Sequence, residues 1–308
     1  GGAGFIGSHL VEALVHAGHR VRVADNLATG RRANLAHLDG RYEWMVADLA
    51  DPDACRAAAA GASVVFHQAA IPSVPRSLAD PLASHASGPT AALNMLAAAR
   101  AAGARRFVFA ASSSAYGDTD ELPKHEAMPP RPLSPYAAGK LAGEHYVRVY
   151  AQTMGLDGVS LRYFNVFGPR QDPGSPYSGV ISLFARAMRQ GRRPVVYGDG
   201  SQTRDFTYVA NAVAANLLAM RAERPLGGAV YNVGTGRRVS LLDLVSALNA
   251  ALGTALEPEF AAGRAGDVRD SQADLGRIRA ELGYQPAVGF EDGLRRTLAW
   301  MDSTEPAR

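Results

Sequence analysis

The sequence has almost no lysine. Of its 32 basic side chains only two, Lys124 and Lys140, are lysines, and the arginines are scattered over 308 residues with a formal net charge of only +3. No basic stripe is present of the kind a nucleic-acid partner needs. Cysteine is scarcer still. The single Cys55 excludes an internal disulfide and a cysteine-built metal centre, and it fits a reducing cytoplasm. The eight histidines show no HExxH or similar ligand spacing, so no metal is expected. Long apolar runs are also missing. The best of them, "AALNMLAAARAAGA", is broken by Asn94 and Arg100 and is too short to cross a bilayer. No signal-peptide pattern, repeat or low-complexity block is found, so neither a membrane nor a fibrous role is expected. A hydrophobic content of 47% against 20% charged residues instead predicts an ordinary packed core.

What the sequence does have is alternation. "HRVRVAD" (19–25), "ASVVFHQAA" (62–70), "RRFVFAA" (105–111) and "GVSLRYFN" (158–165) read as strands, and residues 6–18, 52–60, 80–102 and 135–154 between them read as helices. This order predicts an α/β fold, a Rossmann-type doubly wound parallel sheet with helices on both faces. After about residue 165 the rhythm changes. "GPRQDPGSPYSG" and "YGDGSQTRD" are rich in turn formers, and helices at 208–223, 240–252 and 290–301 are irregularly linked. We expect a first domain at 1–165, with 206–226 packing back on it, and a smaller C-terminal α/β substrate lobe at 166–308.

The chain opens "GGAGFIGSHLVEAL". Gly1, Gly4 and Gly7 form GxxGxxG ahead of an amphipathic helix, and their missing side chains let backbone N–H groups approach a pyrophosphate at the helix's positive end. A strand is expected before this loop; the sequence starts at the glycines. The strand that follows the helix ends in Asp25, where a carboxylate would hold an adenosine ribose 2′-hydroxyl and repel a 2′-phosphate. NAD is favoured over NADP on that ground, although Arg31 and Arg32 just downstream could cradle a phosphate. Asp48, in "MVADLAD", ends a strand within reach of the adenine amino group. "HQAA" (67–70) ends the next one, where backbone passes close to ribose and phosphate.

In "LSPYAAGKLAGE" (133–144), Tyr136 and Lys140 stand four residues apart, on one helix face and one turn from each other. A tyrosine titrates near 10, so it acts as a base near neutrality only if its phenolate is stabilised. An ammonium one turn away, together with a positively charged nicotinamide ring, would do this. A serine at the end of the preceding strand, in "AASSSAYGD", could share the proton.

Taken with "DNLATG", "HQAAIPSVPRS", "RYFNVFGPRQDP", "GDGSQTRDF" and "RAGDVRDSQAD", these motifs run over essentially the whole chain. In that order the sequence resembles the extended short-chain dehydrogenase/reductases, and within them the nucleotide-sugar epimerases of UDP-glucose and UDP-N-acetylglucosamine 4-epimerase type. The resemblance implies that residues 1–165 bind NAD and 166–308 bind a UDP-sugar. It implies Tyr136 as the base for the sugar 4-hydroxyl, Lys140 as the group that binds the nicotinamide ribose and lowers the tyrosine pKa, and Ser112 as their hydroxyl partner. The cofactor would lie on Gly1, Gly4, Phe5, Ile6 and Gly7, on Asp25, Asn26, Asp48 and Leu49, and on Gln68, Ala69 and Ala70, with Phe164 touching the nicotinamide. For the substrate the resemblance implies Ser73, Ser113 and Ser114 at the sugar pocket and Asn165 at the diphosphate. Val180 and Tyr197 fall at the uracil, Arg204 and Arg264 at the diphosphate, Asp267 at the uridine ribose and Ser271 near sugar C2.

The implied reaction removes hydride from C4 and returns it to the other face of a 4-keto sugar. Related dehydratases carry an Asp-Glu pair directly after the strand-end hydroxyl; Ser113 and Ser114 stand there and cannot shuttle protons as carboxyl groups do. UDP-glucuronate 4-epimerases or decarboxylases stay open as alternatives through Arg76 and Arg170, and so does a 4-ketosugar reductase. A small Ser271 suggests that N-acetylated sugars are admitted alongside UDP-Glc and UDP-Gal, unless it only caps a helix starting near Ala273. Relatives carry an asparagine where Gly88 stands, and Pro89 should kink the helix at 80–102. Helices 80–102 and 136–154 are expected to pair two subunits, with alanine-rich faces at 96–103 allowing close approach.

Overall fold

In the computed structural model, which describes residues 1–172, 179–263 and 268–304, the run RFVFAAS is an almost wholly interior strand. Phe107 and Phe109 enter one hydrophobic layer, and Val108 and Ala110 enter the other. That is the period of two of a strand covered on both faces. Each buried phenylalanine contributes about 1.5–3 kcal/mol, and a one-residue slip would trade both rings to the wrong layer, so packing sets the register.

The first part of the chain runs α1 (Phe5–His16), β1 (Arg22–Asp25), β2 (Glu43–Val46), α2 (Pro52–Ala59), β3 (Val64–His67), α3 (Val74–Ala79), α4 (Pro81–His85), α5 (Ala91–Ala101), β4 (Arg106–Ser112), α6 (Pro135–Thr153) and β5 (Gly158–Tyr163). The rest gives β6 (Val166–Phe167), α7 (Val180–Arg189), β7 (Val195–Tyr197), β8 (Thr203–Arg204), β9 (Thr207–Tyr208), α8 (Val209–Arg221), β10 (Ala229–Val233), β11 (Val239–Ser240), α9 (Leu241–Leu252), β12 (Glu259–Ala261), α10 (Gly276–Leu282) and α11 (Phe290–Thr304). Four strands pair in parallel in the order β10–β5–β4–β3, and β1 pairs in parallel with β2. Gly1 stands between these two pieces, bonded to the Ala24 carbonyl on β1 and tight against Gln68 and Ala69 beyond β3.

The fold is the expected Rossmann-type α/β arrangement. Leu10 and Leu14 of α1 meet Val213 and Met220 of α8 on one face, and α2, α5 and α6 cover the other. The chain therefore returns to the sheet after residue 206, through α8 and then β10. The lobe is built from short strand pairs (β6–β9, β8–β11, β7–β12) around an aromatic cluster of Phe167, Phe206, Tyr208 and Phe290, with ring centroids 5.7–6.3 Å apart.

The helix expected at 80–102 is divided. Between α4 and α5 lies a wide π-type turn, Ala86–Thr90, that contains Pro89. Proline offers no N–H and cannot sit in a regular helical interior, so the turn widens around it. The alanine-rich face of α5 is used within the chain, where Ala98 and Ala99 pack in the layer that holds Cys55 and Ala59 of α2. Ala97 and Ala101, on its other side, are exposed.

Candidate active site

The carboxyl ends of the parallel strands open into one cavity of about 1120 Å³, more than the roughly 300–1,000 Å³ of a site for a single small ligand. One end of it is the glycine turn. A β-carbon at Gly7 would lie 2.1 Å from the Gly1 carbonyl oxygen, and one at Gly1 would lie 2.5 Å from Ala69 N. Only glycine leaves this cradle open, at the start of α1, where unpaired N–H groups favour an anion. Phe5 and Ile6 line the same wall.

Asp25, buried at the end of β1, accepts from Ala3 N at 2.9 Å and Leu27 N at 2.8 Å and lines the cavity beside Asn26. The two arginines that left NADP open each have a partner. Arg31 pairs with Asp172 at 2.6 Å, and the Arg32 guanidinium stacks over Trp44 at 5.4 Å. Asp48 stands two residues beyond β2 rather than ending it, and its carboxylate takes Ala50 N at 2.9 Å; with Leu49 it still reaches the cavity. Gln68, Ala69 and Ala70 line it from β3, although the Gln68 amide is also bonded to Tyr163 and Asn216 at 3.1 Å each.

The end that carries Ser112, Tyr136 and Lys140 is assembled by β4 and α6. Ser134 caps α6 through Ala137 N at 3.2 Å, a cap that contributes about 1 kcal/mol, and Pro135 begins the helix with Tyr136 next to it. A β-carbon at Gly143 would lie 2.3 Å from the Phe109 ring, so this glycine lets α6 settle onto β4. Lys140 is buried there, donating to the Ala110 carbonyl at 2.6 Å with its ammonium 5.1 Å over the Phe109 ring. Burial brings its pKa down to about 8, and Glu144 pulls the other way.

Burial also raises the Tyr136 phenol above its ordinary value, and the Ser112 hydroxyl beside it opposes this. One turn along the helix, the Lys140 ammonium donates to the Ala110 carbonyl. Ser112 accepts from Ser114 N at 3.2 Å and Ser114 Oγ at 2.8 Å, which leaves its own proton to be donated toward the phenol. Ser113 and Ser114 line the cavity as well.

At the far end stand Ser73, Asn165, Arg204 and Ser271. Ser73 caps α3, accepting Arg76 N at 3.1 Å. Arg204 Nη1 donates to the Thr203 and Arg269 carbonyls at 2.9 and 2.8 Å. Ser271 does not cap a helix, since α10 begins at Gly276. Its hydroxyl donates to Asn165 Oδ1 at 3.3 Å and accepts Asp205 N at 3.4 Å. Asp205 was not anticipated. Fully buried, it accepts from Thr235, Gly236 and Ala273 and so ties the strands and loops that carry Arg204 and Ser271 together.

Three expected residues do not line the cavity. Phe164 is wholly buried in the core, its ring 6.2 Å from Tyr116; Val180 packs with the lobe core, and Tyr197 lies half-buried on β7. Arg264 and Asp267 lie outside the described residues. Other cavity residues were missed, among them Leu27. Among the described residues, the three non-glycine residues with positive φ, Leu27 (60°), Asn165 (25°) and Arg170 (67°), all line the cavity, a concentration of backbone strain of the kind found at binding sites.

Residues 1–234 match the model of the NAD dependent epimerase/dehydratase family. The chain is 41% identical over 303 residues to the UDP-glucose 4-epimerase of Mycolicibacterium smegmatis, covering 97% of this chain and 96% of that protein. Its fold is similar to that of the UDP-N-acetylglucosamine 4-epimerase from Methanobrevibacter ruminantium in complex with UDP-N-acetylmuramic acid, with a TM-score of 0.93, 36% identity and coverage of 98% and 96% of the two chains. The Thermus thermophilus UDP-glucose 4-epimerase complex with NAD gives 0.89 and 40%, with coverage of 97% and 96%.

Proposed function

Because the chain belongs to the NAD-dependent epimerase/dehydratase family, we propose that it inverts C4 of a UDP-hexose, interconverting UDP-Glc and UDP-Gal and accepting their N-acetylated counterparts. Residues 1–165 would be the NAD-binding domain and 166–308 the nucleotide-sugar lobe. The observation that carries this reading is the meeting of Ser112, Tyr136 and Lys140 on the cavity that begins at the glycine turn, with hydroxyls instead of carboxyls at positions 113 and 114.

NAD supplies the hydride acceptor and donor when bound along that turn. Tyr136 takes the proton of the sugar 4-hydroxyl, with Ser112 sharing it, as C4 gives up its hydrogen with the electron pair. A 4-keto sugar results. After the sugar turns over, the pair returns to the opposite face of C4 and Tyr136 returns the proton to oxygen, so no net oxidation occurs. Lys140 supplies a fixed cation for the nicotinamide ribose and for the phenolate. Arg204 holds the diphosphate while the sugar rotates, which is positioning by the part of the substrate that does not react.

Ser271 supports acceptance of the N-acetyl group: a short side chain, held by Asn165 and Asp205, leaves room where a larger one would exclude it. A second reading, a UDP-glucuronate substrate, is favoured by Arg76 and Arg170 on the cavity wall, although Arg170 is already paired with Glu12. Incubation with UDP-Glc, UDP-GlcNAc and UDP-GlcA separately, with the 4-epimers resolved, decides between them. Both neutral sugars should turn over. Conversion of UDP-GlcA alone would overturn the reading.

The protein would act as a homodimer in a reducing cytoplasm. Leu78 on α3, Leu82 on α4, and Tyr146 and Val149 on α6 are exposed apolar side chains on helices that pack together, which supports docking of a second copy there. Sedimentation of the NAD-loaded protein as a monomer at micromolar concentration would exclude it.

A further inference from the structure

Helix α6 carries one stripe of side chains at successive turns: Tyr136, Lys140 and Glu144. The first two have roles in the proposed reaction, and the third has none so far. Glu144 is only 3% exposed. Arg162, from β5, grips it with Nε to Oε1 at 2.9 Å and Nη2 to Oε2 at 2.7 Å. The guanidinium lies 4.6 Å over the Tyr116 ring, and the Tyr116 hydroxyl donates to Asn232 Oδ1 at 2.6 Å. The carboxylate is thus locked by contacts that run back to β5 and β10. Such a pair adds little to stability by itself, because desolvation offsets the attraction and apolar replacements are often as stable.

The neighbour one turn away gives the pair a purpose. Lys140 is 6% exposed. From β4 it meets the Phe109 ring face and the Ala110 carbonyl. From β3 it meets His67, a ring that burial keeps neutral, at about 3. Tyr136 shares its helix, and Ser84 and Gly88 face it across a small cavity of about 10 Å³. Arg162 stands behind Glu144. Glu144, buried one turn along the same helix face, is a carboxylate whose charge opposes the effect of burial on this ammonium.

We propose that Glu144, clamped by Arg162, is a positioning residue for this site, the fixed counter-charge that keeps the Lys140 ammonium protonated while the reaction runs. This rests on the assignment of Lys140 to that reaction. A dry pocket favours the neutral amine, and a neutral amine cannot stabilise a phenolate. The two-point grip of Arg162 holds the Glu144 carboxylate in one orientation in the same buried stripe.

The scarcity of lysine makes this measurable. With only two lysines in the chain, the NAD-loaded protein labelled with ¹³Cε-lysine should show two resonances, assigned by Lys140→Met, and Lys140 can be titrated directly. In Glu144→Gln its midpoint should fall by about one pH unit, the effect of losing a nearby opposite charge. The double variant Glu144→Leu/Arg162→Met, which replaces the pair by apolar groups, should show the same fall and keeps the test available if the single variant does not fold. An unchanged midpoint in the folded variants, whatever happens to the melting temperature, would overturn the proposal. The titration needs no sugar. If the midpoint falls but none of the three UDP-sugars is converted, this inference stands and the proposed substrate fails.

Discussion

The two ends of the cavity are built in opposite ways. At the catalytic end, Lys140, Glu144 and Arg162 are nearly inaccessible, and each is answered within one helix and two adjacent strands. At the sugar end, Asn165 is exposed and Arg204 is half-buried, and they come with Ser271 from a loop, a two-residue strand and a segment some hundred residues further along the chain. Part of that wall lies outside the described residues. The contrast follows the chemistry proposed for each end. Proton and hydride transfer need fixed groups in a low dielectric, where a misplaced charge is costly. A sugar that must turn over between two hydride transfers needs a firm hold on its diphosphate and few contacts of its own.

This contrast can be broken at three points. Replacing the base should do most. Tyr136→Phe removes the proton acceptor but keeps the ring, so kcat should fall by about 10³-fold, within the range attributed to general acid–base catalysis, while bound NAD and the unfolding transition stay as in the parent. Steady-state assays and NAD released on heat denaturation check it; a kcat within a few-fold of the parent would remove Tyr136 from the reaction. At the other end, Arg204→Ala should raise KM by about 10- to 100-fold, the equivalent of about 1.5–3 kcal/mol for a charged hydrogen bond, with a smaller change in kcat. A loss in kcat alone would mean that the two ends are not divided in this way.

The third effect concerns stability rather than turnover. His67 is buried between Phe107 and Phe109, at 5.8 Å from each ring, with neither ring nitrogen hydrogen-bonded, and its pKa is lowered from 6.5 to about 3. The folded state refuses a proton that the unfolded chain accepts below about 6.5. Stability is therefore full above that pH and lost as pH falls toward about 3, at up to about 1.4 kcal/mol per pH unit. His67→Leu should flatten this part of the profile, as denaturant titrations at several pH values would show; an unchanged acid slope would assign the loss to other groups.

Much of the catalytic end was legible in the residue order because its signals are local. The GxxGxxG turn, the strand ending in Asp25 and the four-residue step from Tyr136 to Lys140 each lie within one element, where periodicity alone orients side chains. Glu144 lay one more turn along the same stripe, in plain view. Its meaning was hidden because its partner, Arg162, is eighteen residues on and reaches it only when β5 packs beneath α6. Helical spacing likewise places Lys140 one turn from the phenol, but only the packed structure shows its ammonium donating to the Ala110 carbonyl. Asp205 was missed altogether, because nothing in "GDGSQTRDF" announces four hydrogen-bond donors that arrive from Thr235, Gly236 and Ala273.

By itself, then, the sequence determined which elements form and which chemical groups can meet a nucleotide, because backbone sterics, hydrophobic period and the absence of side chains at Gly1 and Gly7 act over a few residues. Only the tertiary structure decided how those groups are charged and aimed. Burial set the protonation of Lys140, Tyr136 and His67; Arg31 and Arg32 found partners in Asp172 and Trp44; and Phe164, Val180 and Tyr197 were left off the cavity wall. Desolvation and pairing depend on everything within a few ångströms of a side chain, and most of that arrives from distant parts of the chain.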